Sequence, residues 1–371
     1  MDDINSNSTF KKNLKCIVYS IAFVLVTLLL NCITSISSYA GSFSIVFFDV
    51  DQGDSALIEC DGHHMLIDGG KPYYSQKLYS YLKSNNISSL DYIVATHADT
   101  DHVGGLAGAL NYATADIALS PVTSSDSEAF NNFKKYLGQT TLTVPSAGDS
   151  FSLGSSTFQV VGPVEENASD NNTSLVIRIA YGDTSFIFMG DAETSEEMSI
   201  LEAGYPVNST LIKVAHHGSN SSSSEAFLDA VNPSHAIISV GSDNSYGHPT
   251  SETLEKLKSR VSTLHRTDVH GDIFVTSDGS NISISPSKNS SVDPYVYLPY
   301  VENLDTFTED NNVYAESAPI ETVDSSSSSD GITSYILNTN TRKFHYPYCK
   351  SVSQMKEKNK QEFTGSRSDV M

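Results

Sequence analysis

The chain has 371 residues, 39% of them hydrophobic, with 16 Phe and 19 Tyr. That is enough for one large domain plus an appendage, or for two domains. The formal net charge of −22 repels phosphate backbones and excludes broad non-specific nucleic-acid binding, although a local cationic pocket or a metal site could still hold one phosphate. The N-terminus comes first in the chain and reads as a targeting segment. Lys11, Lys12 and Lys15 precede an apolar run from Ile17 to Leu30, and Ser38-Tyr39-Ala40 offers small residues for cleavage before Gly41. The alternatives are an uncleaved membrane anchor and, less well matched because of Asn31, a lipoprotein box at Leu29-Leu30-Asn31-Cys32. All three place the body of the chain outside the cytoplasm, secreted or at the cell surface, with a membrane contact only where residues 1–40 stay uncleaved. Beyond that segment only Cys60 and Cys349 remain, so the fold is not a disulfide scaffold.

From Phe43 the pattern is strand-like. Ser44–Val50, Ser55–Cys60 and His64–Asp68 are β-rich runs, the last two joined by the hairpin signal Asp61-Gly62. Helical spacing over Tyr74–Asn85 leads to a short buried strand, Tyr92–Ala95, and a helical stretch at Leu106–Tyr112 follows. Strands are predicted at Phe158–Val161, Leu175–Ile179 and Ser185–Met189. Helices and strands then alternate: Ser195–Ala203, Thr210–Val214, Ser224–Ala230, His235–Val240 and Glu252–Lys258. Ile273–Thr276 and Ile282–Ile284 close the body as a hairpin. Strands first, then alternating helices and strands, predict an α+β fold of two sheets sandwiched between helices over residues 41–286.

From Pro286 the composition turns to Asn, Ser, Asp and Glu, with a serine run at Ser325–Ser329. Residues 287–332 therefore read as a flexible linker. Residues 333–371 form a distinct tail. Its Lys343-Phe344-His345-Tyr346-Pro347-Tyr348-Cys349 looks like the start of a small Ada-like zinc module, but no closing Cys-x-x-Cys follows. Two ligands do not make a structural zinc site, so the tail reads as a truncated remnant.

The chemistry is concentrated at Thr96-His97-Ala98-Asp99-Thr100-Asp101-His102, directly after a buried strand. Four potential ligands in six residues, imidazoles and carboxylates mixed, suit Zn²⁺, Mn²⁺ or Fe²⁺. Four ligands in one loop cannot close two metal sites. The ends of later strands carry more: Asp191 after Met189-Gly190, His216-His217 in Ala215-His216-His217-Gly218-Ser219, and His248 in Tyr246-Gly247-His248-Pro249. Each alone is weak, since a strand-end Asp is commonly a helix cap and a lone His a surface residue. Together, at the same end of successive strands, they point to one site. His63 and His64 read as solvated hairpin residues, and His265 and His270 as flanking a structural turn.

Taken with Phe48-Asp49-Val50-Asp51-Gln52-Gly53-Asp54-Ser55 and Leu66-Ile67-Asp68-Gly69-Gly70, these motifs resemble the metallo-β-lactamase superfamily. They are most similar to the extracellular domain of ComEC-type DNA-uptake proteins and to teichoic-acid phosphorylcholine esterases. The resemblance covers roughly Gly41 to Pro286. It implies an αβ/βα sandwich and a centre of two divalent metal ions, Zn or Mn. His97, Asp99 and His216 would hold one ion, Asp101, His102 and His248 the other, and Asp191 would bridge them. It departs from the commoner superfamily pattern, which has a second His where Asp99 stands and another before the bridging Asp. In this chain no His lies between His102 and His216, so on this resemblance either His216 completes the first site or that site is weak.

On that reading two cations share a bridging water as nucleophile. His217 is then free to act as a general acid or to bind an oxyanion. Asp49 and Asp68 would orient imidazoles from behind. The implied activity is an extracellular metal-dependent phosphodiesterase acting on a small phosphoester, a wall polymer or single-stranded DNA. The alternatives are a ComEC-like nuclease and a non-catalytic wall or partner-binding protein on a retained fold.

Overall fold

The computed structural model describes residues 41–165, 168, 170–242, 244–296, 333–338, 343–345 and 356–365. The N-terminal apolar run, Cys16, Cys32 and Cys349 lie outside the described residues. Among the described residues no helix is long and apolar enough to cross a membrane, and Cys60 is a buried free thiol.

Two mixed sheets form the body. The first has eight strands: β1 (Phe43–Phe47), β2 (Ala56–Cys60), β3 (His63–Ile67), β4 (Ser89–Val94), β5 (Thr114–Leu119), β6 (Leu142–Thr143), β14 (Ile273–Ser277) and β15 (Ile282–Pro286), in the order β15-β14-β1-β2-β3-β4-β5-β6. The second has seven: β7 (Ser150–Leu153), β8 (Ser156–Gly162), β9 (Val176–Tyr181), β10 (Thr184–Phe188), β11 (Leu211–Lys213), β12 (His235–Ile238) and β13 (Thr263–Arg266), in the order β13-β12-β11-β10-β9-β8-β7. In each, the hairpin-connected strands pair antiparallel, while β3 to β6 and β10 to β13 run parallel.

The alternation of strand side chains assigns the layers. Phe43, Ile45 and Phe47 face Phe158, Ile177, Phe186 and Phe188 in one buried cluster between the sheets. Phe43 stacks on Phe186 with ring centroids 4.8 Å apart. The opposite face of the first sheet is covered by helices 75–84, 106–110 and 128–137, whose Leu78, Leu82, Leu106, Phe130 and Phe133 bury against Leu66 and Ile93. Helices 194–203, 225–231 and 251–258 cover the second sheet through Ile200, Phe227, Leu228, Leu254 and Leu257. This is the αβ/βα sandwich that the motifs imply.

The region between residues 113 and 157 differs from the sequence reading, which left it without elements. It holds β5, β6, β7 and the helix Glu128–Leu137. That helix is capped by Ser127, whose hydroxyl accepts from the Phe130 amide at 3.3 Å. Its buried face is Ala129, Phe130, Phe133 and Leu137, and Phe and Asn within it are weak helix formers. The strand β5 alternates poorly because Asp116 and Ile117 are both exposed. β13, also not foreseen, is four residues long and holds both His265 and Arg266.

Residues 287–296, assigned to a linker by composition, pack onto the domain. Arg266, 2% exposed, pairs with Asp268 and donates to the carbonyls of Pro294 and Val296, both at 2.9 Å. His270 accepts from the Arg266 amide at 3.0 Å through Nδ1, and Tyr295 rests on the core behind the second sheet. A second compact unit, residues 304–371, contains a three-stranded antiparallel sheet formed by Thr333–Asn338, Lys343–His345 and Lys360–Gly365. Removing one partner of a buried ion pair leaves the other uncompensated. Arg266→Ala should therefore lower stability in urea titrations by about 3–5 kcal/mol; an unchanged midpoint would show that the pair is dispensable.

Candidate metal centre

The candidate residues sit where parallel strands end. After β3 the backbone turns through Asp68 at φ +56°, and the amide of Asp68 bonds the Val94 carbonyl at the end of β4 at 2.9 Å. Asp68 is fully buried. One oxygen accepts the Thr96 amide at 2.8 Å; the other accepts the Thr96 hydroxyl at 2.6 Å and holds His102 Nδ1 at 2.9 Å. The His97–His102 loop is laced to this turn by Gly69 N to His102 O at 2.6 Å and Gly105 N to Gly70 O at 2.9 Å. A Cβ at Gly105 would lie 2.0 Å from the Gly69 carbonyl oxygen, so the close approach requires glycine there.

The second sheet supplies the facing wall. Asp191, 4% exposed, follows β10, and its amide donates to Ser174 Oγ at 3.0 Å. After β11 come His216 and His217, both left-handed, with φ/ψ of 47°/47° and 53°/22°. Such a conformation costs roughly 1–2 kcal/mol per residue for L-amino acids, and two in succession mark a backbone held for its side chains.

Four imidazoles converge on Asp191, each fastened by Nδ1. His97 Nδ1 lies 3.2 Å from Thr96 Oγ1 and 3.4 Å from Ser174 Oγ. His102 is held by Asp68. His216 Nδ1 is 3.3 Å from Ser221 Oγ and 3.5 Å from Glu193. His217 Nδ1 lies 2.9 Å from the Ser239 carbonyl and 3.3 Å from Asp54. That leaves Nε2 of each ring for the centre. His102 Nε2 lies 3.2 Å from Asp191 Oδ1. His217 Nε2 is 3.5 Å from Asp191 Oδ2 and 3.6 Å from Asp101, His216 Nε2 is 3.8 Å from Asp191 Oδ2, and His97 Nε2 is 3.8 Å from Asp99. Three tight groups share His102: His97 with His102 and Asp191, Asp101 with His102 and His217, and, behind the ring, Asp54 and Asp68 with His102.

These atoms fit a metal. Nε2 of His97, His102 and His217 and Oδ1 of Asp191 are buried without a hydrogen-bond partner, and stranded polar atoms of that kind are costly unless a cation satisfies them. The electrostatics agree. Burial pushes the His217 imidazole down, but Asp191, Asp101 and Asp54 outweigh it and raise its pKa to about 10. His102 is raised well above the usual histidine value: burial opposes, and Asp191 and Asp68 prevail. Asp101 is lowered to about 2, burial again opposing and His217 and His102 prevailing. In the metal-free protein, protons stand in for the cationic charge that these carboxylates demand.

Of the expected ligands, His97, Asp101, His102 and Asp191 fall in the tight groups, while Asp99, His216 and His248 fall in none; His217, expected to be free, lies with Asp101 and His102. Neighbouring side chains normally point apart, so a sequence reading keeps only one of a His-His pair. The consecutive left-handed residues bring both rings to the same carboxylate. His248 instead packs on His216 with ring centroids 5.4 Å apart, its backbone cradled by Asn244. Burial, then His216 and His217, lower its pKa to about 4.

Asp49 also does not stand behind an imidazole. It faces Lys288 at 3.5 Å, and its amide donates to Asp272 at 2.7 Å. The carboxylates beside ring Nδ1 atoms are Asp68 at His102, Asp54 at His217 and Glu193 at His216. Asp54 lies beyond the turn at Asp51, which places it and not Asp49 beneath the site. Lys213 was missed as well; its signal was a lysine inside the apolar strand run Leu211-Ile212-Lys213-Val214.

Residues 48–242 match the family model of the metallo-beta-lactamase superfamily. The chain belongs to that superfamily. Its curated relatives include the following two. ComE operon protein 3 of Bacillus subtilis (strain 168) is 30% identical over 247 residues, covering 61% of this chain and 32% of the relative. Competence protein ComA of Neisseria gonorrhoeae is 29% identical over 231 residues, covering 62% and 31%. The chain thus spans about a third of the length of these relatives. Among solved structures, the metallo-beta-lactamase fold protein YhfI from Bacillus subtilis matches with a TM-score of 0.41 and 12% identity, over 60% of this chain and 95% of that one.

Two outcomes follow for a metallo-beta-lactamase-fold centre of this geometry. Asp191→Ala should strip nearly all bound metal, and His217→Ala about one ion per chain, read by elemental analysis of purified protein. Full metal content in His217→Ala would return that residue to the role of a free acid. Binding must also displace the proton that His217 holds at neutral pH, so zinc uptake should release protons and weaken as pH falls. Calorimetry at pH 7 in buffers of different ionisation enthalpy should show that release as a buffer-dependent heat; identical heats would contradict it.

Proposed function

We propose that this metal-dependent hydrolase is an exported phosphodiesterase with two divalent ions, Zn or Mn, in one centre. The observation that carries the reading is the pair of overlapping ligand groups around Asp191 with a further imidazole, His248, beside them. In this reading His97, Asp99 and His216 surround one position, Asp101, His102 and His217 the other, and Asp191 lies between. Divalent ions in such a centre polarise a phosphoryl oxygen and lower the pKa of water.

The chain's own residues supply the rest. His248 stands next to His216 without belonging to a ligand group, and its Nδ1 is buried with no hydrogen-bond partner. As a neutral imidazole it can hydrogen-bond the oxygen of the departing alcohol. Tyr246, 68% exposed and stacked on His248 at 5.7 Å, offers that alcohol an aromatic face at the rim. Similarity to competence protein ComA of Neisseria gonorrhoeae and to Recombination protein 2 of Haemophilus influenzae favours DNA as a second reading. The net charge of −22 weighs against a long polyanion held along the surface. Short or single phosphodiesters therefore suit the site better. Export rests on Lys11, Lys12, Lys15 and the Ser38-x-Ala40 site.

The test is a panel of bis-(p-nitrophenyl) phosphate, p-nitrophenyl phosphorylcholine and single-stranded DNA offered to the zinc- or manganese-loaded chain. At least one p-nitrophenyl diester should be hydrolysed. His248→Ala should keep its metal while losing about 10²–10⁴-fold in turnover. Metal-loaded protein inert to all three would favour the non-catalytic binding protein. DNA cleavage without diester turnover would favour the nuclease.

A further inference from the structure

Lys213 ends β11, in the interior of the seven-stranded sheet, flanked in register by Phe188 and Ile237. It is 3% exposed, an unusual position for a lysine unless it is paired. Its Nζ meets Asp54 Oδ2 at 2.7 Å and donates to the Val214 carbonyl at 2.9 Å. Asp54 is 6% exposed and belongs to the loop after β1, on the other sheet. The pair therefore bridges the two sheets directly beneath the centre.

Asp54 reaches every member of one ligand group. Its amide donates to the Asp101 carbonyl at 3.2 Å. Its Oδ1 stands 3.3 Å from His217 Nδ1. Its carboxylate also clusters with Asp68 and His102. Asp101 and His102 come from the first sheet and His217 from the second, so the spacing of this group depends on how the sheets are joined. Lys213 ties Asp54 to the far sheet at 2.7 Å, alongside the longer contact with His217. We infer that Lys213, acting through Asp54, is a positioning residue that sets the Asp101–His102–His217 group for metal. Two functions combine: Asp54 orients His217 from behind, and Lys213 holds Asp54 in place and balances its charge.

The inference rests on the metal centre proposed above, and the experiment separates the two. Zinc dissociation constants of the full chain are measured by chelator competition for the wild type, Asp54→Asn, Lys213→Met and the double variant, alongside the thermal midpoint of each metal-free protein. Lys213→Met alone strands a buried carboxylate and should lower the midpoint. The double variant removes both charges and should recover it. If the pair positions ligands, Asp54→Asn and the double variant should each bind one zinc about 10–100-fold more weakly, with the other ion less affected. A double variant that recovers its midpoint and binds zinc like the wild type would reduce the pair to a structural tie and overturn the inference. A wild type that takes up no zinc, manganese or iron would overturn the centre itself, and this inference with it.

Discussion

The constraint on which the site depends is the cost of burying Asp191. A carboxylate that is 4% exposed cannot stay ionised in an apolar interior without positive charge around it. The fold surrounds it with His97, His102, His216 and His217, from the ends of strands in both sheets. Every ring has its Nδ1 occupied by an oxygen, so its orientation is fixed before any ligand arrives. That pre-organisation separates a metal site from a fortuitous cluster of polar residues.

The same demand shapes the scaffold behind the site. Asp68 accepts from Thr96 and holds His102, and Asp54 is paired with Lys213. Glu193 takes the hydroxyl of Ser221 at 2.9 Å. Farther out, buried Glu197 accepts the amides of Ser223 and Ser224 at 2.6 and 2.8 Å. This pins the loop that follows His217 to the first turn of helix 194–203. Polar groups in this part of the molecule are spent on holding other polar groups, while the three apolar clusters hold the sheets and helices together.

Much of this was legible in the sequence because strand-end chemistry leaves a local signature. A buried strand followed at once by His97-x-Asp99-x-Asp101-His102 announces a ligand loop, and Asp68 and Asp191 follow apolar runs in the same way. The parts that were not legible depend on backbone conformation or on long-range pairing. No local pattern reveals that His216 and His217 are both left-handed. Nothing near Asp54 in the chain shows that its partner is Lys213, since the two meet only when the sheets pack. Asp49 and Asp54 look interchangeable in one acidic loop, and the turn at Asp51 decides between them. Among the elements missed between residues 113 and 157, β5 is interrupted by Asp116 and the helix 128–137 by Asn and Lys, while β6 and β7 are only two and four residues long.

The candidate ligands are divided between the sheets: His97, Asp99, Asp101 and His102 on one side, Asp191, His216 and His217 on the other. The groups His97–His102–Asp191 and Asp101–His102–His217 each draw on both sheets, so an ion held in either would add to the cohesion between layers that hydrophobic packing already joins.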